Sequence, residues 1–291
     1  MIDGYDTNSL IVSFMFFGGV TVVGILRAVL YPSQKALDSW MIGHGLRKGA
    51  QTRPRVAAYL RRTRWIRTIG FLAGWNVPFV WMWVTRSAYR MDDLGTYWWL
   101  IGFAAGIILA EVTRPHASGG SVTVEPRELR QYLPGFTRID NCILAGLALL
   151  MAGAGSILPL GTIRLPGEHV PTRHDTIWYV GLALAALSII AATRIAQEFV
   201  VRRRQSFDDL DDLQADDAMR SASIQGLAGL GYGGPMWLVA AMAWDLARTT
   251  NSPIAWVFGV LGILLLFGGL GMLLGFPRLN TKWIVPRARE A

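Results

Sequence analysis

Residues 223–275 hold two apolar stretches separated only by a short polar turn at 248–253. Each is about long enough to cross a bilayer core of roughly 30 Å, which takes about 20 residues of helix. In hydrocarbon a chain must satisfy its own backbone N–H and C=O groups, so stretches of this kind fold as helices. Two of them joined by a tight turn cross and return. The rest of the chain repeats that pattern. Seven apolar segments are expected as spans, at about 10–30, 68–84, 97–112, 142–160, 176–195, 224–247 and 254–275. Only 16% of the residues are charged, against about 25% in soluble domains. The longest polar stretch is near the lower limit for independent folding. The fold expected is therefore all-α: a polytopic membrane helix bundle forming a single integral membrane domain over 1–291.

Orientation follows from the basic residues, which resist translocation. With the N-terminus outside, the inner segments 31–67, 113–140, 193–225 and 276–291 carry 22 Lys and Arg, and the outer segments carry 5. A miscount of one span would invert this asymmetry, so it also supports an odd number of crossings. The N-terminus lacks the basic region and cleavage site of a signal peptide, so the first segment is expected to stay as a span. Trp65, Trp81, Trp83, Tyr97, Trp98 and Trp99 flank the short second and third segments as interfacial anchors. A plasma-membrane location is expected, with the C-terminus cytoplasmic. Arginine over lysine, with much alanine and glycine, fits a GC-rich bacterial genome.

The segments after the first pair as three helical hairpins that resemble one another. Leu-Ala-Gly recurs at 72–74, 144–146 and 227–229, early in each outward span. Pro78 and Pro235 each precede the next span by 19 residues, counted to Tyr97 and Ile254. Three parallel repeats would place equivalent helices around an axis along the membrane normal. Glycines four apart, Gly70 and Gly74, Gly102 and Gly106, Gly229 and Gly233, Gly271 and Gly275, line one helix face and permit close backbone approach. The last pair is also a candidate dimer seam.

Prolines inside a span free the carbonyl one turn earlier and bend the helix. Asn76 beside Pro78, and Gly233 and Gly234 before Pro235, mark candidate kinks that line a cavity or serve packing alone. Asn76 is the expected amide donor near the Gly74 carbonyl that Pro78 leaves unbonded. Charged groups in or near spans are few. Glu111, Arg194 and Asp245 are candidate gate residues or members of local ion pairs, with Arg114, Glu198 and Arg248 close in sequence. Cys142, the single cysteine, excludes a disulfide within the chain and a cysteine metal cage, and reads as a small core residue. The four histidines fall outside the spans, and His169 and His174 share an outer loop that reads as a turn region. No phosphate-binding glycine loop is present. No cofactor and no nucleic-acid partner are expected.

Residues 207–217 hold six aspartates. Such a cluster can hold Mg²⁺ and, through it, a diphosphate. Asp209, Asp212 and Asp216 resemble the first aspartate motif of membrane-embedded prenyltransferases. That resemblance implies a Mg²⁺-dependent isoprenoid enzyme. It covers about nine residues, and this chain lacks the family's second cytoplasmic aspartate cluster, its larger number of spans and its early placement of the motif. The other reading is a solvated acidic loop that balances Arg202, Arg203 and Arg204.

In the first inner segment, Val56, Tyr59 and Leu60 fall at helical spacing among Arg61, Arg62, Arg64 and Arg67. This predicts an amphipathic helix lying on the membrane, with its basic face on anionic lipid or on an acidic cytoplasmic protein. The function expected is a non-catalytic membrane subunit or scaffold of a plasma-membrane complex. A permease, or the transmembrane part of a transporter working with a separate ATPase, is the alternative. A lipid- or isoprenoid-processing enzyme is the third reading. The topology has a direct test. A reporter active only in the cytoplasm should give signal when fused at Ala291 and none at Gly167, and signal at both sites would end it.

Overall fold

The computed structural model describes residues 7–30, 32–46, 52–85, 97–114, 121–122, 128–129, 132–133, 137–158, 175–203, 206–207, 210–250 and 253–279. Among them are eight helices: α1 Thr7–Val29, α2 Gln34–Gly43, α3 Thr52–Thr85, α4 Trp98–Val112, α5 Thr137–Ile157, α6 Thr176–Arg202, α7 Leu210–Thr249 and α8 Ile254–Leu279. Among the described residues strand pairing is limited to a two-residue antiparallel match of Ser121–Val122 with Ser206–Phe207. Three helical stretches are long and apolar enough to cross a membrane, Ile139–Ile157, Thr176–Arg202 and Ile254–Gly275, which points to a membrane location. The apolar helical stretches Gly18–Val29 and Trp98–Val112 are shorter.

Apolarity tracks exposure. On α8, Trp256, Val257, Val260, Leu264, Phe267 and Leu274 are exposed. An outward apolar face of this kind suits contact with lipid. By contrast α7 buries Ile224, Leu227, Leu230, Leu238, Met242 and Leu246, together with the glycines between them. A helix covered by protein need not be strongly apolar, and α7 carries Gly229, Gly231, Tyr232, Gly233, Gly234 and Pro235 at its middle.

The chain divides into two compact units. The first comprises Met1–Glu125, Arg203–Ser221 and Ile284–Ala291. Within it α3 and α4 pack antiparallel with backbones in near contact. A Cβ added at Gly70 would stand 2.6 Å from the Gly106 Cα, and one at Gly102 would stand 2.7 Å from the Gly74 nitrogen. Only glycine permits this approach, which gives helices a large dispersion contact without a hydrophobic drive. α1 lies against α3, where Leu72 covers Gly24 at 3.2 Å from an added Cβ.

α3 corrects the expected surface-lying helix. It is one helix of 34 residues, about 50 Å long, so 52–67 continue the apolar segment without a break. Val56, Tyr59 and Leu60 are buried against Leu37, Met41 and Leu46 and against Ala215, Ala218 and Met219 of α7. They form a small core instead of resting on lipid. α2 is fixed at both ends. Ser33 Oγ accepts from the Ala36 N–H at 3.2 Å. At the other end Gly45 takes φ 67°, and the N–H groups of Gly45 and Leu46 return to Ile42 and Met41 carbonyls at 3.0 Å. This left-handed cap turns Leu46 into the core. His44 Nδ1 donates to the Trp40 carbonyl at 2.8 Å, its ring stacks on Trp40, and burial lowers its pKa.

The second unit comprises Pro126–Arg202 and Ala222–Trp283. Here α7 lies between α6 and α8. Ile189 and Thr193 of α6 cover Gly234 and Gly231. Gly233 faces Gly269 and Leu273 of α8, and Gly262 faces the Ala240 carbonyl at 3.4 Å from an added Cβ. α5 meets α6 through Gly155 against the Tyr179 ring. The Leu-Ala-Gly glycines are not used alike. Gly74 packs on Trp98 and Gly102, whereas a Cβ at Gly146 would meet nothing within 4 Å. Cys142, expected in the core, lies on the exposed side of α5.

This difference is testable. Gly102→Val overpacks a backbone contact and should cost about 3 kcal/mol or more, whereas Gly146→Val should change stability by less than about 0.5 kcal/mol. Thermal unfolding in detergent reads both, and equal effects would contradict the glycine seam.

Candidate functional site

The richest polar constellation lies in the first unit, where α4 ends. The last carbonyls of a helix have no partner within it. Arg62 of α3 supplies one set, donating to the carbonyls of Ala110 at 3.0 Å and Thr113 at 2.7 Å and to Thr113 Oγ1 at 2.7 Å. A guanidinium there also complements the helix dipole. One turn on, Arg67 bonds Glu111 at 2.8 Å, and Glu111 is only 1% exposed.

Arg114 begins a second set of contacts. Its guanidinium stands 5.1 Å above the Tyr59 ring and bonds Asp216 at 2.7 Å. Arg220, 3% exposed, bonds the other oxygen of Asp216 at 3.2 Å and donates to the Arg203 carbonyl at 3.0 Å. Arg203 in turn donates to the Arg114 carbonyl at 2.7 Å. Three segments are thus laced together: the end of α4, the chain just after α6, and the first turns of α7. Burial, followed by the neighbouring Arg114 charge, lowers the Arg203 pKa to about 10, with Asp216 and Glu111 opposing. The group stays charged at neutral pH. Guanidiniums only donate, so the cluster suits anion recognition and fixing of segments, not proton transfer.

The residues singled out from sequence fall in several places. Glu111 pairs with Arg67 across two helices, not with the nearby Arg114. Arg194 meets Glu198 at 3.2 Å on α6, with Arg202 3.8 Å from the same carboxylate. Asp245, in the second unit, is 2% exposed, accepts from Tyr179 Oη at 2.5 Å and lies 3.5 Å from Arg248. Asn76 donates to the Leu72 carbonyl at 2.8 Å and to Thr21 Oγ1 at 3.3 Å. Its amide therefore does not serve the Gly74 carbonyl as expected. The geometry favours its own i−4 carbonyl and a neighbour on α1.

Pro78 and Pro235 sit inside the continuous helices α3 and α7. Gly233 and Gly234, beside Pro235, are filled against side chains and backbone of α8 and α6, as described above. Asp209 and the side chain of Asp212 lie outside the described residues, as do His169 and His174. Asp216 is described, and the acidic stretch there is helix from Leu210 onward, not a loop. Both oxygens of Asp216 are engaged by Arg114 and Arg220, so its carboxylate is covered rather than solvated. Among the described residues no group of three His, Cys, Asp or Glu side chains could hold a metal ion.

Sequence reasoning missed Arg203 and Arg220 as members of a site. The available signal was the four-residue spacing of Asp216 and Arg220, which places them on one helix face. Reading 207–217 as a loop hid it.

Comparison with protein-family models, with curated proteins and with solved structures gives no match. Asp216 is the member of the cluster with the clearest expected phenotype. Asp216→Asn leaves Arg114 and Arg220 without their shared carboxylate and should cost about 3 kcal/mol in thermal unfolding. The exposed Asp211→Asn should cost less than about 0.5 kcal/mol. Equal melting of the two variants would remove the structural role of Asp216.

Proposed function

We propose that the protein is a non-catalytic integral membrane subunit, a scaffold within a plasma-membrane complex. In this reading seven helices cross, α1 alone and then α3–α4, α5–α6 and α7–α8 as hairpins, with the N-terminus outside and the C-terminus in the cytoplasm. The repeat relation among the hairpins belongs to the same proposal. The observation that carries it is the helical platform of the first unit. α3 continues some 16 residues before its apolar segment, and α7 about 14. Both extensions pack on α2 around Met41, Tyr59 and Met219. Arg114, Asp216 and Arg220 then tie the platform to the end of α4. A preformed surface loses little entropy when a partner docks. Lys35 and Arg61 are exposed on it, and their charge suits an acidic cytoplasmic protein.

The permease reading keeps one supporting observation, the buried bond from Tyr179 of α6 to Asp245 of α7, the helix that also holds Pro235. Against it stands the filled environment of Gly231, Gly233 and Gly234, where a transport path along the break would need room. The prenyltransferase-like reading loses Asp216 to two arginines.

Native mass spectrometry after extraction from its own membrane in mild detergent tests the proposal. The chain is expected to carry a stoichiometric protein partner, released when Lys35 and Arg61 are both changed to Glu. A chain that runs alone at 32.1 kDa, and drives solute flux when reconstituted, would replace the subunit by the permease.

A further inference from the structure

His44 is a titratable side chain built into the platform. It directly follows α2, and its ring stacks on Trp40 with centroids 3.9 Å apart. Trp40 packs against the platform core and stands 6.4 Å from the Tyr59 ring, over which Arg114 sits. A column of rings thus runs from the end of α2 to Arg114. A carbonyl only accepts, so the 2.8 Å bond to the Trp40 carbonyl places a proton on His44 Nδ1. In the neutral ring Nε2 then carries the lone pair. That atom is covered and meets no hydrogen-bond partner among the described residues.

Protonation would put an N–H on Nε2 and a charge on the ring. A covered donor with no acceptor is costly, and more so on a charged group. Two contacts favour the cation, the Trp40 carbonyl and the indole face beneath the ring. Burial outweighs them, and the His44 pKa lies below its ordinary value of 6.5. No charged group of the three helices bonds the ring. On α2, Asp38 is held by Arg53 of α3, and Lys35 is exposed. Arg55 of α3 is half-buried. On α7, Asp216 is held by Arg114 and Arg220, Asp217 is half-buried and Asp211 is exposed. A folded-state pKa below the unfolded value sets the sign. The stabilisation is complete above about pH 6.5 and is lost as pH falls through the folded value.

We infer that His44 is an acid-sensitive latch on the docking platform. Neutral, it keeps the ring stack closed and the turn through Gly45 seated, which holds Leu46 in the core. Protonated, the ring leaves Trp40 for solvent, and that turn loosens. α2, which presents Lys35, then frays from its C-terminal end. The regulatory role rests on the subunit reading, because the latch acts on the surface where the partner docks. The latch itself is a property of the chain alone. It is measured without a partner, so the failure of the latch and the absence of a partner are told apart.

The experiment is hydrogen exchange of the full chain in detergent, read by mass spectrometry at about pH 7.5 and about pH 5.5, which bracket the ordinary histidine value. After correction for the intrinsic pH dependence of exchange, amides in 36–46 should lose protection at the lower pH. His44→Phe keeps a ring on Trp40 and has nothing to titrate. The Trp40 carbonyl still receives the backbone N–H of position 44, at 3.2 Å. Its protection should therefore be equal at the two pH values. No loss in the parent chain, or an equal loss in His44→Phe, overturns the latch. A loss that extends equally to α8 is general unfolding and overturns it too. Labelled histidine followed by NMR gives a second readout. The resonance absent from His44→Phe should titrate below about pH 6.5, and titration at or above that value counts against the latch. Should His44→Phe fail to fold, His44→Gln, which also lacks a titratable ring, carries both measurements.

Discussion

Helices in a bilayer gain nothing from leaving lipid for one another by hydrophobicity alone, so their packing depends on how closely their backbones can come. In this protein that closeness is supplied by glycine. Gly70, Gly74, Gly102 and Gly106 bring α3 and α4 together at distances that exclude any Cβ. Gly233 and Gly269 do the same for α7 and α8. The mid-helix positions of Pro235 and its glycines follow from this. A glycine run weakens a helix by about 1 kcal/mol per residue in water, yet here it is the surface by which α7 receives Ile189 and Thr193 on one side and Leu273 on another. The same residues that read as a candidate opening in sequence are occupied by neighbours in the structure.

The platform obeys a different rule. Where apolar surface leaves water, burial contributes a drive, roughly 25 cal/mol per Å². α2, α3 and α7 accordingly meet through Leu37, Met41, Val56, Tyr59, Leu60 and Met219, an ordinary apolar core. Its rim is polar and bonded: Arg53 reaches Gln34 at 2.6 Å and Asp38 at 3.1 Å. Such exposed pairs contribute little individually. The covered bonds of Glu111 and Asp216 matter more, because losing one partner leaves a charge without compensation.

Much of the helical layout was legible because hydropathy is a local property. Over the described residues, each of the seven apolar segments falls in a helix of its own, and the glycines spaced four apart in α3 and α4 form the seam their spacing implied. What was not legible depends on partners distant in sequence. Val56, Tyr59 and Leu60 have the pattern of a surface-lying helix, and nothing local says that Met41 and Met219 will cover them. The acidic stretch before Ala218 reads as solvated because charge density favours solvent, until Arg114, 102 residues away from Asp216, is placed beside it. Leu-Ala-Gly misled in the opposite direction. Its recurrence suggested one role, but Gly74 is pressed against Trp98 while Gly146 faces open space. A three-residue match fixes composition and says little of which face is buried.

The charges of α7 show why the partner matters more than the position. The helix places a covered carboxylate in each unit, Asp216 among four aspartates in the first and Asp245 alone in the second, with Ile224–Trp244 between them free of charge. Each carboxylate is covered and each meets side chains of its own unit: Asp216 has Arg114 and Arg220, and Asp245 has Tyr179 and Arg248. The chemistry of those partners differs. Two guanidiniums engage both oxygens of Asp216 and fix it, so it has no oxygen to spare for a metal. A phenol donates to Asp245 without adding charge, and Arg248, nearly half exposed at 46%, reaches it only at 3.5 Å. The first carboxylate is thus bonded to two cations of its own unit, and the second to a neutral donor, with its cation further away.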